Sequence, residues 1–397
     1  MNRNVLLLAL CQATLMTGAS LVLSSSALVG ARLAPSPVWA TVPLSLQLLT
    51  TMLVMFPAAR LMAAVGRRPV YLAAALIGFS GMGLAALGIW IGSFMVFSLA
   101  GCLVGVQSAV GQSYRFAAAE AVAPAARGRA ISMTLAGGVV AAFVGPNVAR
   151  LTRDALEPPF FASFLALLGT TALSFLFALS LRLPPIEIAS LNEPSRPPRQ
   201  IVRQPLFLMA VTTAAIGYAV MSLLMTATPL TMHAHGHAFG PTATVIQWHL
   251  VAMFAPSFFT GELVRRFGVR TLIAAGSALN LGCIAINMAG TTVLHFELAL
   301  VLLGIGWNFL YVGGTTLLTE TYRPPERGFA QGFNDTVVFT LVSGASLASA
   351  GLLATLGWRT LNMASIPLCC IPLLLLVVSA ARRRRGPADG GYPRPSS

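Results

Sequence analysis

The sequence contains no lysine, and only 9% of its 397 residues are charged. A soluble chain carries about 25% charged residues, so this one has too little polar surface to cover a globule in water. Aspartate and glutamate together number 11, while hydrophobic residues make up 56% of the chain. This composition excludes a disordered chain and an ordinary soluble enzyme, and it indicates a protein embedded in lipid.

Cysteine is scarce, and motifs for a catalytic centre or a cofactor are missing from suitable positions. The five cysteines all lie inside apolar runs, which leaves no disulfide framework and no CxxC zinc site. They are Cys11, Cys102, Cys283, Cys369 and Cys370. GxSxG, HExxH and phosphate-binding loops do not occur in the context that each of them needs. We therefore expect neither an enzyme nor a bound cofactor.

Arginine supplies the whole positive charge, and the formal net charge is +14. The arginines stand in short clusters between apolar runs rather than along one face, so we expect no nucleic acid as a partner. The run from Arg382 to Arg385 is typical of a segment that faces anionic membrane lipid.

Uncharged runs of about 20 residues are long enough to cross a bilayer as helices, and the chain contains twelve of them. Their predicted boundaries are 5–30, 38–62, 69–91, 93–117, 129–151, 158–182, 205–229, 240–264, 270–291, 294–320, 328–356 and 358–381. The proline-rich segment 183–204 predicts a linker between halves 1–182 and 205–381, and 382–397 is a predicted tail. Short cytoplasmic loops hold arginine, and 21 of the 25 arginines fall on one side if both termini are cytoplasmic.

Internal repeats indicate that the two halves are related. Glu120, Pro124, Arg127 and Gly128 recur 200 residues later as Glu320, Pro324, Arg327 and Gly328. The loops Gly66-Arg67-Arg68 and Gly268-Val269-Arg270 repeat at a spacing of 202 residues. Two parallel six-helix halves are typical of transporters with a substrate site near the membrane midplane.

The chain resembles the major facilitator superfamily on these residues. The loops at Gly66 and Gly268 are similar to the superfamily's loop motif, although Ala63 and Arg265 stand where its acidic residue is expected. The resemblance implies an all-α membrane protein with twelve helices in two pseudo-symmetric bundles. It also implies a multi-pass protein of the bacterial inner membrane that acts as a monomer.

Soft donor atoms recur at helical spacing on the seventh and eighth predicted spans. Met221 and Met225 are four residues apart, as are His249 and Met253, so each pair shares one helix face. Counted from Pro229 and Gly240, they form a ladder of donors from the outer surface towards the midplane. Thioether and imidazole together favour Cu(I) over harder ions. A hydrogen bond from His249 to a backbone carbonyl, Asn287 or Asn308 is the structural alternative.

Further candidates lie in the outer loop and on the eleventh span. Met232, His233, His235 and His237 form a run that predicts an outer site for metal capture. Asp335 lies about seven residues into the eleventh span, where an ionisable residue is a candidate for proton coupling. Its alternative role is a hydrogen bond with Asn334 or with an arginine.

The paired Met221/Met225 and His249/Met253 positions match the MxxxM and HxxxM motifs of the CcoA-like copper importers. This resemblance implies import of copper, as a substrate, for cytochrome c oxidase assembly. A riboflavin-transporting branch carries similar motifs, so uptake of riboflavin or another aromatic solute is the alternative. Gly137, Ala141 and Gly145-Pro146 loosely resemble an antiporter motif of the superfamily, so proton-coupled drug efflux is a third hypothesis. The stacking residues proposed for an aromatic solute are Tyr218, Trp248, Trp307 and Tyr311.

Overall fold

A computed structural model describes residues 2–35, 39, 42–183 and 195–384, and none of these residues forms a β-strand. The helices of the first half are α1 (Arg3–Leu33), α2 (Val42–Val65), α3 (Arg67–Trp90), α4 (Phe94–Gly111), α5 (Tyr114–Glu120), α6 (Arg127–Thr152) and α7 (Phe161–Leu179). A short helix, α8 (Pro198–Val202), precedes the second half. The helices of that half are α9 (Pro205–Ala234), α10 (Phe239–Phe254), α11 (Ser257–Phe267), α12 (Val269–Ala289), α13 (Val293–Leu318) and α14 (Arg327–Arg384).

Apolar composition and length make ten of the described segments candidate membrane spans. The other two crossings are interrupted or less apolar, and they correspond to the predicted eighth and eleventh spans. The eighth is divided into α10 and α11 at Ala255–Pro256. The eleventh is the first arm of α14, which Gly357, with a φ of 75°, separates from the twelfth. The prediction of an all-α fold with twelve membrane-spanning helices is confirmed.

The side chain of Asn308 on α13 bridges the break between α10 and α11. Its Nδ2 donates to the carbonyl oxygen of Met253 at 2.7 Å and to the hydroxyl of Ser257 at 2.6 Å. The hydroxyl of Thr260 donates to its Oδ1 at 2.8 Å. One buried amide therefore stabilises the ends of both short helices, which is how proline is tolerated at membrane depth.

The internal repeat is visible in the structure. Short 3-10 helices at Pro124–Ala126 and Pro324–Glu326 each lead directly into a long helix, which begins at Arg127 in one half and at Arg327 in the other. Proline suits these starts because its missing N–H has no helical partner at the first turn.

The predicted domain boundaries stay a prediction. Residues 184–194 of the predicted linker 183–204 and residues 385–397 of the predicted tail 382–397 lie outside the described residues.

The two halves meet at one end of the bundle, which we call the arginine-rich end because Arg60, Arg67 and Arg327 lie there. Helix α2 packs against α14, and α6 packs against α11. A Cβ at Gly328 of α14 would lie 2.7 Å from the Cβ of Ala63 on α2, so the two backbones are in close contact. The arginine-rich end is therefore closed.

A polar network crosses between the halves at the same end. Arg67 donates to Glu120 at 2.9 and 2.7 Å, and its Nη2 also donates to the Oε1 of Gln331 on α14 at 2.7 Å. The Nε2 of Gln331 donates to Glu120 at 3.0 Å. The bonds of Gln331 with Arg67 and Glu120 join residues of different halves, so the end cannot open without breaking them.

Candidate functional site

Aromatic side chains from α9 and α13 form a cluster at about mid-length of α13. Trp307 and Tyr311 lie four residues apart on α13, which brings them to one face. Their rings are stacked, with centroids 5.1 Å apart and an interplanar angle of 17°. The ring of Tyr218 on α9 meets both edge-on, at 5.2 Å from Trp307 and 5.3 Å from Tyr311. We call these three residues the aromatic cluster.

Two phenylalanines extend this arrangement. Phe254 on α10 lies 5.6 Å from Trp307, and Phe339 on α14 lies 5.6 Å from Tyr218. A Cβ at Gly138 of α6 would lie 2.5 Å from the ring of Phe254, so the first half reaches this place. Tyr218 is partly exposed, whereas Trp307 and Tyr311 are buried. The cluster therefore lies at the boundary between the halves, with Tyr218 its most accessible ring.

A buried ion pair adjoins the aromatic cluster. Arg115, on α5 of the first half, donates through Nη2 to the carboxylate of Asp335 on α14. Arg115 is 2% exposed and Asp335 6%. The guanidinium of Arg115 also lies over the ring of Tyr311, 4.8 Å from its centroid. The pair therefore connects the two halves directly beneath the stacked rings.

Asp335 has a second hydrogen bond, from the Nδ2 of Asn334 at 2.9 Å. Both partners proposed as its alternative role, Asn334 and an arginine, are therefore present in the structure. A role of Asp335 in proton coupling stays a prediction.

Several buried polar atoms around the cluster have no hydrogen-bond partner among the described residues. They are the Nε1 of Trp307, the hydroxyl of Tyr311 and the Nε of Arg115. Most buried polar groups in proteins are paired. These groups are therefore available as hydrogen-bond partners for a ligand beside the stacked rings.

His249 is fully buried, and a hydrogen bond to the backbone of α13 orients its ring. Its Nδ1 lies 2.7 Å from the carbonyl oxygen of Leu300, and a carbonyl only accepts, so Nδ1 carries the proton. Nε2 then holds a free lone pair. The predicted structural alternative, a bond to a backbone carbonyl, is therefore present. Neither Asn287 nor Asn308 is the partner of this nitrogen.

The methionines of the predicted ladder face inward, but their depths differ from the prediction. Met221 and Met253 are buried in the same hydrophobic core, and Met225 packs against that core. Helix α9 continues through Pro229 to Ala234, because proline does not end a membrane helix whose neighbours satisfy the backbone. Measured from the helix ends, Met225 is level with His249 and Met221 with Met253, at about 15 and 20 Å. The donors form two levels instead of four steps.

The outer loop does not gather its donors into one site. Met232 is fully buried, whereas His233 is exposed. His235 bonds to the carbonyl oxygen of Thr231 at 2.8 Å, and His237 bonds to that of Thr291 at 2.7 Å. Within the described ranges, no group of three or more histidine, cysteine, aspartate or glutamate side chains is placed to hold a metal ion.

Three of the four aromatic residues suggested for stacking, Tyr218, Trp307 and Tyr311, lie together in the structure, and their role in binding stays a prediction. Trp248 is 49% exposed and lies outside the aromatic cluster. Arg115 was not among the predicted site residues, although it falls inside the predicted span 93–117, where a charged residue is a signal for function. Phe254 and Phe339 gave no signal, because phenylalanine is common in membrane helices. The glycines of the efflux hypothesis pack against α1, where a Cβ at Gly145 would lie 2.9 Å from the Cβ of Ser20.

Comparison with known families decides the class of protein. Residues 7–294 and 215–395 match the Major Facilitator Superfamily. The chain belongs to the Major Facilitator Superfamily. The predicted resemblance is therefore confirmed, and the chain is a multi-pass membrane transporter rather than an enzyme.

Relatives within this superfamily include transporters with and without a known substrate. The chain is 41% identical over 382 residues to the riboflavin transporter RfnT of Brucella anthropi, covering 94% of this chain and 96% of that protein. It is 29% identical to the uncharacterized MFS-type transporter YdeG of Bacillus subtilis, covering 74% of this chain and 72% of YdeG.

Solved structures of other superfamily members share the fold. A bacterial homologue of the iron transporter ferroportin in the outward-facing state gives a TM-score of 0.73 at 14% identity, covering 96% of this chain and 100% of that chain. FucP in the outward conformation gives a TM-score of 0.74 at 12% identity, covering 95% of this chain and 99% of FucP. These similarities concern the fold alone.

Proposed function

We propose that this transporter imports riboflavin, or a closely similar planar aromatic solute, by alternating access between its two halves. The observation that carries the proposal is the aromatic cluster of Tyr218, Trp307 and Tyr311 at the boundary between the halves. Aromatic rings bind flat ligands through offset stacking and edge contacts. An isoalloxazine ring presents a large flat face together with carbonyl and N–H groups, which matches a cluster surrounded by unpaired polar atoms.

The similarity to the riboflavin transporter RfnT supports the same cargo, since it extends over 94% of this chain. It favours riboflavin, the alternative left by the sequence, over copper. Copper import remains the competing hypothesis because the Nε2 of His249 has a free lone pair and Met253 follows four residues later on the same helix. In that case His249, Met253 and Met221 would be ligands of copper. Met225 lies at the same depth as His249.

The transport step requires the arginine-rich end to open. The bonds that must break are those of Arg67 with Gln331 and of Arg115 with Asp335, together with the contact of Ala63 and Gly328. Separating a buried ion pair leaves two uncompensated charges, which is unfavourable by several kcal/mol. Uptake of a proton by Asp335 removes one of these charges, and this is the role we propose for it.

We further propose that the chain works as a monomer in the bacterial inner membrane, with both termini in the cytoplasm. The arginine-rich end then faces the cytoplasm, in keeping with the distribution of arginine. In this orientation the closed end of the structure is the cytoplasmic gate.

The proposal is tested by uptake of radiolabelled riboflavin and of radioactive copper in bacterial cells that lack their own uptake systems for both. Expression of this chain is expected to raise riboflavin accumulation well above the vector control and to leave copper accumulation unchanged. Copper accumulation without riboflavin accumulation would support the competing hypothesis instead.

A further inference from the structure

We propose that the substrate site admits only uncharged aromatic ligands, and that the ion pair of Arg115 and Asp335 sets this limit. The inference rests on the proposed function and refines it. It separates riboflavin, which is neutral, from its 5′-phosphate, which carries the same ring.

The charges beside the aromatic cluster cancel. Arg115 on α5 is the cation next to Tyr311, and Asp335 on α14 neutralises it. The neighbouring groups on α9, α13 and α10 are the uncharged rings of Tyr218, Trp307 and Phe254. Both Nη atoms of Arg115 are already engaged, one with Asp335 and one with the carbonyl oxygen of Gln112.

A phosphate monoester carries a charge of about −1.5 to −2 at neutral pH. The cation beside the cluster, Arg115, is already neutralised by Asp335. A phosphate that binds next to this pair therefore adds negative charge that nothing beside the cluster compensates, and an uncompensated buried charge is strongly unfavourable. The phosphate can accept a hydrogen bond from Arg115, but only with this penalty.

Uncharged polar groups of a ligand can bind at this site without such a penalty. The indole N–H of Trp307 and the hydroxyl of Tyr311 are buried without partners in the part of the chain that the structure describes. Ring carbonyls and hydroxyl groups of a ligand supply partners for them without adding charge. The same is true of the Nε–H of Arg115. The site is thus suited to hydrogen bonding but not to net charge.

The test measures the binding of flavins to the purified full-length transporter, with flavin fluorescence as the readout. Riboflavin, riboflavin 5′-phosphate and the tetra-acetyl ester of riboflavin are titrated in parallel, because the ester is larger than riboflavin yet uncharged. We expect the wild type to bind the phosphate at least about tenfold more weakly than riboflavin, since one charged hydrogen bond is worth about that factor. We expect the affinity for the ester to fall less, relative to riboflavin, than the affinity for the phosphate, because the site selects by charge and not by size.

Charge variants make the test specific to the ion pair. Asp335→Asn leaves Arg115 as a free cation, so the ratio of phosphate to riboflavin affinity is expected to rise about tenfold. The double variant Arg115→Gln with Asp335→Asn is neutral again and is expected to restore the wild-type ratio. Arg265→Gln, which removes an exposed arginine on α11, is the matched control and leaves the ratio unchanged.

The outcomes separate this inference from the proposed function. Binding of riboflavin and its phosphate with equal affinity by the wild type overturns the inference alone. So does an unchanged ratio in an Asp335→Asn protein that still binds riboflavin. If that variant does not fold, the wild type's affinities for the phosphate and for the larger neutral ester test the inference. Equally weak binding of both ligands overturns it. A wild type that binds no riboflavin contradicts the proposed function, and the inference with it.

Discussion

Arg115 of the first half and Asp335 of the second form an ion pair that is almost fully buried, and the same guanidinium lies over the ring of Tyr311. One side chain therefore contacts both the opposite half and the aromatic cluster. Closure of the arginine-rich end and the arrangement of the stacked rings are physically connected through it.

Loss of the ring at Tyr218 is expected to weaken riboflavin transport. Tyr218→Ala removes edge contacts to three rings, and an aromatic contact is worth about 0.5–1.5 kcal/mol beyond burial. The KM for riboflavin uptake should rise about two- to tenfold, whereas Tyr218→Phe should stay near the wild type. Trp248→Ala, at an exposed ring outside the cluster, serves as the control. Equal effects of the Ala variants at 218 and 248 would contradict a specific role for Tyr218.

Replacing Met221 distinguishes a flavin from a copper cargo. Met221→Leu keeps an apolar side chain of similar volume in a buried position, and such exchanges usually cost less than about 1.5 kcal/mol. We expect riboflavin uptake within about twofold of the wild type at equal membrane abundance. A copper carrier would lose copper accumulation in this variant and in His249→Ala. Retained riboflavin uptake in Met221→Leu excludes an essential thioether at that position.

A disulfide across the closed end is expected to stop transport. Ala63 and Gly328 contact each other across the halves, and their Cβ positions are close enough for a cross-link after a small shift. Oxidation of the Ala63→Cys, Gly328→Cys double variant should reduce riboflavin uptake to the vector level, and reduction should restore it. Each single cysteine variant controls for the five native cysteines. Full uptake with the cross-link complete, judged by thiol labelling, would show that the two positions need not separate.

The linker is fixed to the second half through Glu326, and this contact should depend on pH. Burial alone raises the pKa of Glu326, but hydrogen bonds from the Arg196 side chain and from the backbone N–H groups of Arg323 and Arg196 lower it to about 2. An unfolded glutamate has a pKa of about 4.3. Because the native pKa is the lower one, the contact stabilises the native state above pH 4.3 and is lost as the pH falls towards 2.

Hydrogen exchange of residues 195–204 measures this effect. Protection is expected to fall by up to about tenfold per pH unit between pH 4.3 and 2. Glu326→Gln should show low protection already at pH 7 and little dependence on pH. Protection that is constant down to pH 2 in the wild type would show that the carboxylate of Glu326 does not hold the linker.

The sequence predicts the membrane fold well because each crossing leaves a run of apolar residues about 20 long. Gly357, for example, separates two arms of α14 at the predicted boundary between spans 328–356 and 358–381. Interruptions are harder to foresee. Pro256 divides a helix, whereas Pro229 lies inside one, and the difference depends on which neighbouring groups satisfy the backbone.

The site was predicted only in part, because its members come from both halves. Tyr218, Trp307 and Tyr311 were identifiable as large rings at similar depth, but their contacts are tertiary. Arg115 lies beside the cluster because its side chain reaches from α5 of the first half to Asp335 on α14 of the second. Pairing across 220 residues of sequence leaves no local pattern, so a single sequence does not reveal it.

Counterflow of labelled riboflavin into proteoliposomes tests the central claim most directly. Purified transporter is reconstituted into vesicles loaded with unlabelled riboflavin, and a trace of labelled riboflavin is added outside. We predict accumulation of label above that of protein-free vesicles, and its abolition by excess external riboflavin but not by copper salts. No accumulation of label by a correctly folded, reconstituted protein would contradict riboflavin transport.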